Sequence, residues 1–353
     1  MSRRLLEDVE RIECIGKGNF ALVYRCRHRY EKHTPHFAVK VLDLDTPVAI
    51  EDIAREVLVM RMSKHENLVR LHSATLRGKR LWMAMELASA GSVADIVKAQ
   101  GPLSEAVAAI ILRGMLQGLA YMHAFGWIHS DIKSNNLLLT HDGVVKLCDF
   151  GVAIVGQVGA ASTPETDAPA QTQSSAPTTS APSCYEDWLP PAARPRPADG
   201  NNHAKQFAGT PLYMAPEIIR RKGVSSASDI WSAGIVAIEL VSGSPPYSDQ
   251  HPLKAMQLLA ANDPPTLQVK HTRPYADCCC KMLTKDPQQR ATAEHMLKVK
   301  PIKGAKNTKK LCQLLKTYTF DSKHADEGDS SDDDDDDAEH RRQFYDDPLA
   351  WEF

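Results

Sequence analysis

Between residues 127 and 151 the chain reads Trp127-Ile128-His129-Ser130-Asp131-Ile132-Lys133-Ser134-Asn135-Asn136-Leu137-Leu138-Leu139 and then, after a short gap, Val145-Lys146-Leu147-Cys148-Asp149-Phe150-Gly151. Two apolar runs, 137–139 and 144–147, flank an Asp142-Gly143 pair of the kind that turns a β-hairpin. A strand-turn-strand there returns the chain on itself and brings Asn136 and Asp149 to one mouth, with Asp131 just upstream. The D-x-x-x-x-N spacing would let Asp131 orient a hydroxyl nucleophile and Asn136 hold a metal ion, and the Asp-Phe-Gly triplet would add a second metal ligand at Asp149.

Upstream, residues 12–38 alternate apolar and polar positions around Ile15-Gly16-Lys17-Gly18-Asn19-Phe20-Ala21-Leu22-Val23, then reach Phe37-Ala38-Val39-Lys40. Glycines let backbone N–H groups approach a phosphate, and Lys40 would neutralise the anionic oxygens beneath the loop. An ordinary hairpin fits the same pattern, and Ala21 stands where G-x-G-x-x-G has its third glycine. A helical pattern over 53–60 places Glu56 to pair with Lys40; an exposed surface carboxylate is the alternative. Strands are predicted over 69–75 and 81–85, with Met85 at the back of a nucleotide pocket and Glu86 to Ser92 forming a hinge.

With 353 residues, 43% hydrophobic and 24% charged, the composition is that of a globular protein large enough for two lobes. A formal net charge of -2 offers no case for nucleic acid, and no apolar run approaches the ~18 residues that span a bilayer. These readings predict a cytoplasmic protein without a membrane span. The 8 cysteines, including Cys278-Cys279-Cys280, suit neither a disulfide framework nor a paired metal site and read as reduced thiols.

A long amphipathic helix is predicted over 105–124, capped by Ser104 and closed by Gly126, with Ile111, Met115, Leu119 and Met122 as its core stripe and His123 as packing. Further helices are expected over 229–240, 252–260 and 275–283. Residues 155–204, rich in Ala, Pro, Ser and Thr, predict a disordered insertion; passive disorder and a phosphorylation-controlled flap both fit that composition. From 321 the chain turns acidic, with Ser330-Ser331 before a run of aspartates at 332–337, which fits a solvated tail and also fits serines in an acid-directed modification site. Trp351-Glu352-Phe353 then places two aromatics where no core can take them, a setting that favours a partner.

Gly16 to Val23, Lys40, Glu56, His129 to Asn136, Asp149-Phe150-Gly151, Ala215-Pro216-Glu217, Asp229-Ile230-Trp231 and Arg290, in that order, resemble the motif set of a eukaryotic protein kinase. Gly91-Ser92-Val93, residues 209–217 and residues 227–232 resemble the sterile-20-like (germinal-centre) kinases, and Asn262-Asp263-Pro264-Pro265-Thr266-Leu267 resembles their oxidative-stress-responsive, Fray-like subgroup. The resemblance implies an α+β bilobal fold, with a small β-rich N-lobe (1–86), a larger mainly helical C-lobe (87–320) and an acidic tail carrying a docking motif (321–353). It implies ATP and Mg2+ as cofactors and serine or threonine on proteins as acceptor, in stress or polarity signalling. Ile15, Gly16, Lys17, Gly18, Val23, Ala38, Lys40, Met85, Glu86 and Leu87 would line the nucleotide site. Asp131 would accept the hydroxyl proton, Lys133 would steady the transferred group, Lys40 and Glu56 would form the phosphate-aiming pair, and Asn136 and Asp149 would hold magnesium. Leu71, Met60, Phe150 and His129 would form the apolar column linking the lobes, and Glu217 with Arg290 a structural ion pair. Trp351, Glu352 and Phe353 look like the motif by which relatives bind the calcium-binding protein 39 scaffold. Ser130 and Gln206 stand where the family carries, respectively, a phosphate-binding arginine and, in the Fray-like pattern, an activating threonine. Ser130, with Ala21, keeps a second class open: a pseudokinase that binds nucleotide and activates a partner by its shape.

Overall fold

The computed structural model describes residues 6, 8–18, 21–30, 34–45, 50–151, 153–155, 209–267 and 271–318. The expectations for Asn19 and Phe20, for most of the insertion, for Gln206, for the acidic run and for Trp351, Glu352 and Phe353 fall outside these residues.

Strands β1 (Val9–Gly18), β2 (Ala21–His28) and β3 (Phe37–Asp43) are followed by helix α1 (Ile50–Met62) and by strands β4 (Leu71–Arg77) and β5 (Arg80–Glu86). The five strands form one antiparallel sheet in the order β1-β2-β3-β5-β4. Alternation decides what each face buries. Val39 and Val41 of β3 join Trp82 and Ala84 of β5 in a cluster on one face, whereas Ala38, Leu42, Met83 and Met85 point to the other side and join the main core. The fourth strand starts at Leu71 rather than at 69, because the preceding residues pair elsewhere: Val69 N–H donates to Leu147 O at 2.9 Å, and Leu147 N–H to Asn67 O at 2.9 Å.

Beyond β5 the chain is mainly helical: α2 (Val93–Gln100), α3 (Glu105–Ala124), strands β6 (Trp127–Ile128), β7 (Leu137–Leu139), β8 (Val145–Leu147) and β9 (Ile154–Val155), then α4 (Pro216–Ile219), α5 (Ser226–Ser242), α6 (Pro252–Ala261), α7 (Arg273–Met282), α8 (Ala293–Met296), α9 (Lys300–Gly304) and α10 (Lys309–Thr317). Helix α2 was not legible in the apolar pattern; a capping box starts it, with Ser92 accepting from Asp95 N–H while the Asp95 carboxylate takes Ser92 N–H at 3.0 Å. Helix α5 outruns its expected span because Ser225 and Ser228 cap its start and Gly243, at φ +88, closes its end. Helix α3 matches its expected bounds and is long and apolar enough to cross a membrane, yet it serves as a core helix whose Ile111, Met115, Leu119 and Met122 are fully buried.

The third helix also positions the β7–β8 hairpin. A Cβ at Gly114 would lie 2.7 Å from Val145 Cβ, and one at Gly118 would lie 2.6 Å from Leu147 Cδ1, so the hairpin rests directly on the helix backbone. Asn67 Nδ2 donates to Val145 O at 2.9 Å and ties the segment before β4 to the same hairpin. Deeper down, Arg290 grips Glu217 through two bonds of 2.6 and 2.9 Å while also donating to the carbonyls of Thr284 and Ala227. The expected structural pair is therefore present and bidentate.

Candidate active site

The hairpin delivers its two ends to one mouth. In β7–β8, Leu137 pairs with Leu147 and Leu139 with Val145, and Gly143 sits at φ +78 in the turn. Asn136 immediately precedes this ladder and Asp149 follows it. Cys148 N–H donates to Asn136 O at 3.1 Å, which joins the two ends by backbone.

Asp131 is enclosed on both oxygens. Its Oδ1 accepts from Thr210 N–H at 3.0 Å and Thr210 Oγ1 at 2.9 Å; its Oδ2 accepts from Lys133 Nζ at 2.8 Å and Asn136 Nδ2 at 3.1 Å. Burial alone would raise its pKa, but the Lys133 charge and the hydrogen bonds from Lys133 and Thr210 outweigh it and hold the carboxyl below its ordinary value. The group is thus a carboxylate at neutral pH, able to orient a hydroxyl. Lys133 Nζ also donates to Thr210 Oγ1 at 2.9 Å, so Asp131, Lys133 and Thr210 close a ring of contacts.

Across the cleft, Lys40 Nζ donates to Glu56 Oε1 at 2.7 Å and lies 4.0 Å from Asp149 Oδ1. Burial opposes the ammonium charge, but the Glu56 and Asp149 carboxylates overcome it and leave the Lys40 pKa raised. Helix α1 is therefore seated so that Glu56, itself buried, aims a fully charged Lys40 toward Asp149. The sheet puts the other expected nucleotide residues around this pair: Gly16 lies opposite Val23, Val23 opposite Lys40 and Ala38 opposite Met85. The Glu86 side chain is turned to Lys146 at 2.7 Å, and its backbone N–H donates to Arg70 O at 2.9 Å.

A family model for the protein kinase domain matches residues 9–177 and 195–301. The chain belongs to the protein kinase family. It is 34% identical over 294 residues to the serine/threonine-protein kinase ppk11 of Schizosaccharomyces pombe, covering 83% of this chain and 80% of that protein. It is 33% identical to cst-1 of Caenorhabditis elegans and 33% identical to fray1 of Dictyostelium discoideum, both named serine/threonine-protein kinases; the matches cover 82% and 84% of this chain but only 50% and 46% of theirs. The expectations of a bilobal α+β kinase fold, of a serine/threonine kinase and of sterile-20-like kinship are borne out.

The fold brings Lys40, Glu56 and Asp149 into one cluster and Asp131, Lys133, Asn136 and Thr210 into another. Three supporting sets of contacts were not named by the motif reading. Asp229, on α5, accepts His129 N–H at 2.9 Å and Ser130 N–H at 2.8 Å, so one buried carboxylate holds the backbone just before Asp131. His123, expected as packing, is instead a polar partner of that carboxylate at 2.8 Å, since a buried Asp229 requires every contact it can make. Beneath the loop, Glu239 accepts from Ser134 Oγ at 2.6 Å and Tyr213 Oη at 2.9 Å. Ser130 and Asp149 both lie at positive φ, +69 and +66, strained geometry that this support maintains on either side of the reacting centre. His129 links them, with Nε2 at 3.0 Å from Cys148 O and its ring 5.4 Å from that of Phe150.

Proposed function

We propose that this kinase transfers the γ-phosphate of ATP to serine or threonine hydroxyls of proteins, with residue roles as the motifs imply. The observation that carries this reading is the simultaneous presence of the Lys40–Glu56 pair at 2.7 Å and the ring of contacts among Asp131, Lys133 and Thr210. Phosphoryl transfer needs positioning and charge more than covalent chemistry. Lys40 supplies charge on the phosphates, Glu56 aims it, Asp131 orients the hydroxyl and takes its proton, and Lys133 steadies the transferred group. Residues Ile15, Gly16, Lys17, Gly18, Val23, Ala38, Met85, Glu86 and Leu87 enclose the nucleotide.

The donor set fits magnesium, which accepts one or two protein oxygens and completes its shell from phosphates and water. Asp149 offers a half-exposed carboxylate, and Asn136 spends its Nδ2 on Asp131 O at 2.9 Å, which leaves its side-chain oxygen as the atom that could ligate the ion. When bound, the ion neutralises charge developing on the phosphates. A place in stress or polarity signalling in the cytoplasm and a calcium-binding protein 39 type scaffold held by Trp351, Glu352 and Phe353 belong to the same proposal and rest on the family resemblance.

The test is radiolabelled phosphate transfer from ATP to a generic protein substrate by the full chain. Activity that falls at least about a hundredfold in both Lys40→Met and Asp131→Asn supports the roles. Unchanged turnover in both variants refutes them, and ATP binding by an inactive wild type would favour the pseudokinase instead.

A further inference from the structure

Residues 298–316 carry seven lysines, and the stretch 295–318 contains no aspartate or glutamate. All seven lysines are exposed, and none forms a salt bridge with another described residue. The fold explains why they share an outer surface. Ile302, Leu311 and Leu315 are buried in the main core, Arg113 of α3 donates to Ile302 O at 3.3 Å, and Cys312 and Thr308 of the α10 region abut Gly143 in the hairpin turn. With the apolar side of α9 and α10 spent on the core, the seven lysines are left at the surface along this stretch. Seven unpaired like charges within so short a stretch repel one another and call for a counter-charge.

We propose that this face docks the chain's own acidic run at residues 332–337. Between residues 321 and 339 there are eleven acidic residues and one lysine, more than enough negative charge to balance the seven lysines. The 13 residues between Tyr318 and Asp332 reach at most about 50 Å, against about 14 Å for α10, so the tether is long enough to fold back over that helix. A linker of this kind gives an effective concentration on the order of millimolar, which a separate polyanion seldom matches. The remaining occupants fit less well. The stretch 295–317 contains no Phe, Tyr or Trp on which bases could stack, and the apolar side of α10 is already buried, which leaves nothing to insert into a lipid surface. A nearby polyanionic tail also repels both.

The full chain, treated with a zero-length carbodiimide at low salt, should give lysine–aspartate cross-links between 298–316 and 332–337. Mixing heavy- and light-isotope protein shows whether they form within one chain. The links should vanish near 1 M salt, where the Debye length is only about 3 Å, and should vanish in a variant with all six aspartates replaced by asparagine. On a heparin column that variant should elute at higher salt than wild type, and further replacement of Lys303, Lys306, Lys309 and Lys310 by glutamine should reverse the gain. Absence of intrachain cross-links at low salt, or identical heparin elution of wild type and the asparagine variant, overturns the proposal. Equal binding of both proteins to phosphatidylserine vesicles overturns it too, and assigns the face to a membrane.

Discussion

Glu239 is a buried carboxyl whose pKa is raised by burial, with the hydrogen bonds from Ser134 and Tyr213 offsetting only part of that push. The sign of its effect on stability follows. From the ordinary glutamate value near ~4.3 up to the raised folded value, the unfolded chain gives up this proton more readily than the folded one, so folding loses stability as pH rises through that window and then levels off. Glu239→Gln keeps a side chain able to bond Ser134 and Tyr213 but cannot ionise. Urea unfolding at a series of pH values should therefore show the variant gaining on wild type as pH rises above the ordinary glutamate value of about 4.3, by about 1.4 kcal/mol for each unit of pKa shift. Parallel pH curves would sink this reading. Asp229 acts through its contacts, accepting two backbone N–H groups and lying 2.8 Å from His123 Nε2. Asp229→Asn presents an amide to donors and should cost about 1–3 kcal/mol. It should also lower turnover without abolishing nucleotide binding, as read by ATP titration beside the kinase assay, because the strained backbone at Ser130 loses its anchor while Lys40 is untouched.

At the scale of elements, the hairpin and α3 act as one block, because Gly118 leaves room for Leu147. Gly118→Val should destabilise the protein by about 1–3 kcal/mol through overpacking, and Gly118→Ala somewhat less, since alanine regains nearly ~1 kcal/mol of helix propensity. Denaturant midpoints measure both, and a neutral Gly118→Val would mean that the hairpin can shift away without cost. What the sequence made legible lies mostly within single elements: the Asp142-Gly143 turn between apolar runs, the 3.6-residue stripe of α3, and the alternation of β3 and β5. The Lys40–Glu56 pair was readable because family motifs named both ends. Other features were not, for physical reasons. Asp229 reaches His129 and Ser130 across about a hundred positions of sequence, and Glu239 reaches Ser134 over a similar separation, so no local period announces either contact. Helix α2 is short and begins on side-chain caps rather than on an apolar stripe, and β4 starts late because Val69 bonds the hairpin instead of the sheet.

For the whole molecule, the two ends of the insertion are fixed while its composition offers little to bury. Val155 of β9 pairs with Trp127 on one side. On the other, Gly209 resumes at φ +124, where a Cβ would come within 3.0 Å of Ser130 O, and Thr210 bonds Asp131. The protein kinase family match likewise stops at 177 and resumes at 195, so extra chain lies within this connection. Replacing residues 158–201 with an eight-residue Gly/Ser linker shortens the span between Val155 and Gly209 about threefold. Closure entropy changes by only about 0.6 kcal/mol for each halving, so the folded state should gain about 1 kcal/mol or less. For a protein of this size such a change moves the melting temperature by only about 2–4 °C. A thermal scan should thus show a transition unchanged or slightly raised. A fall of ten degrees or more would mean that the insertion packs against the lobes and contributes buried surface of its own, in which case its serines and threonines sit where modification would alter stability as well as access to Asp131.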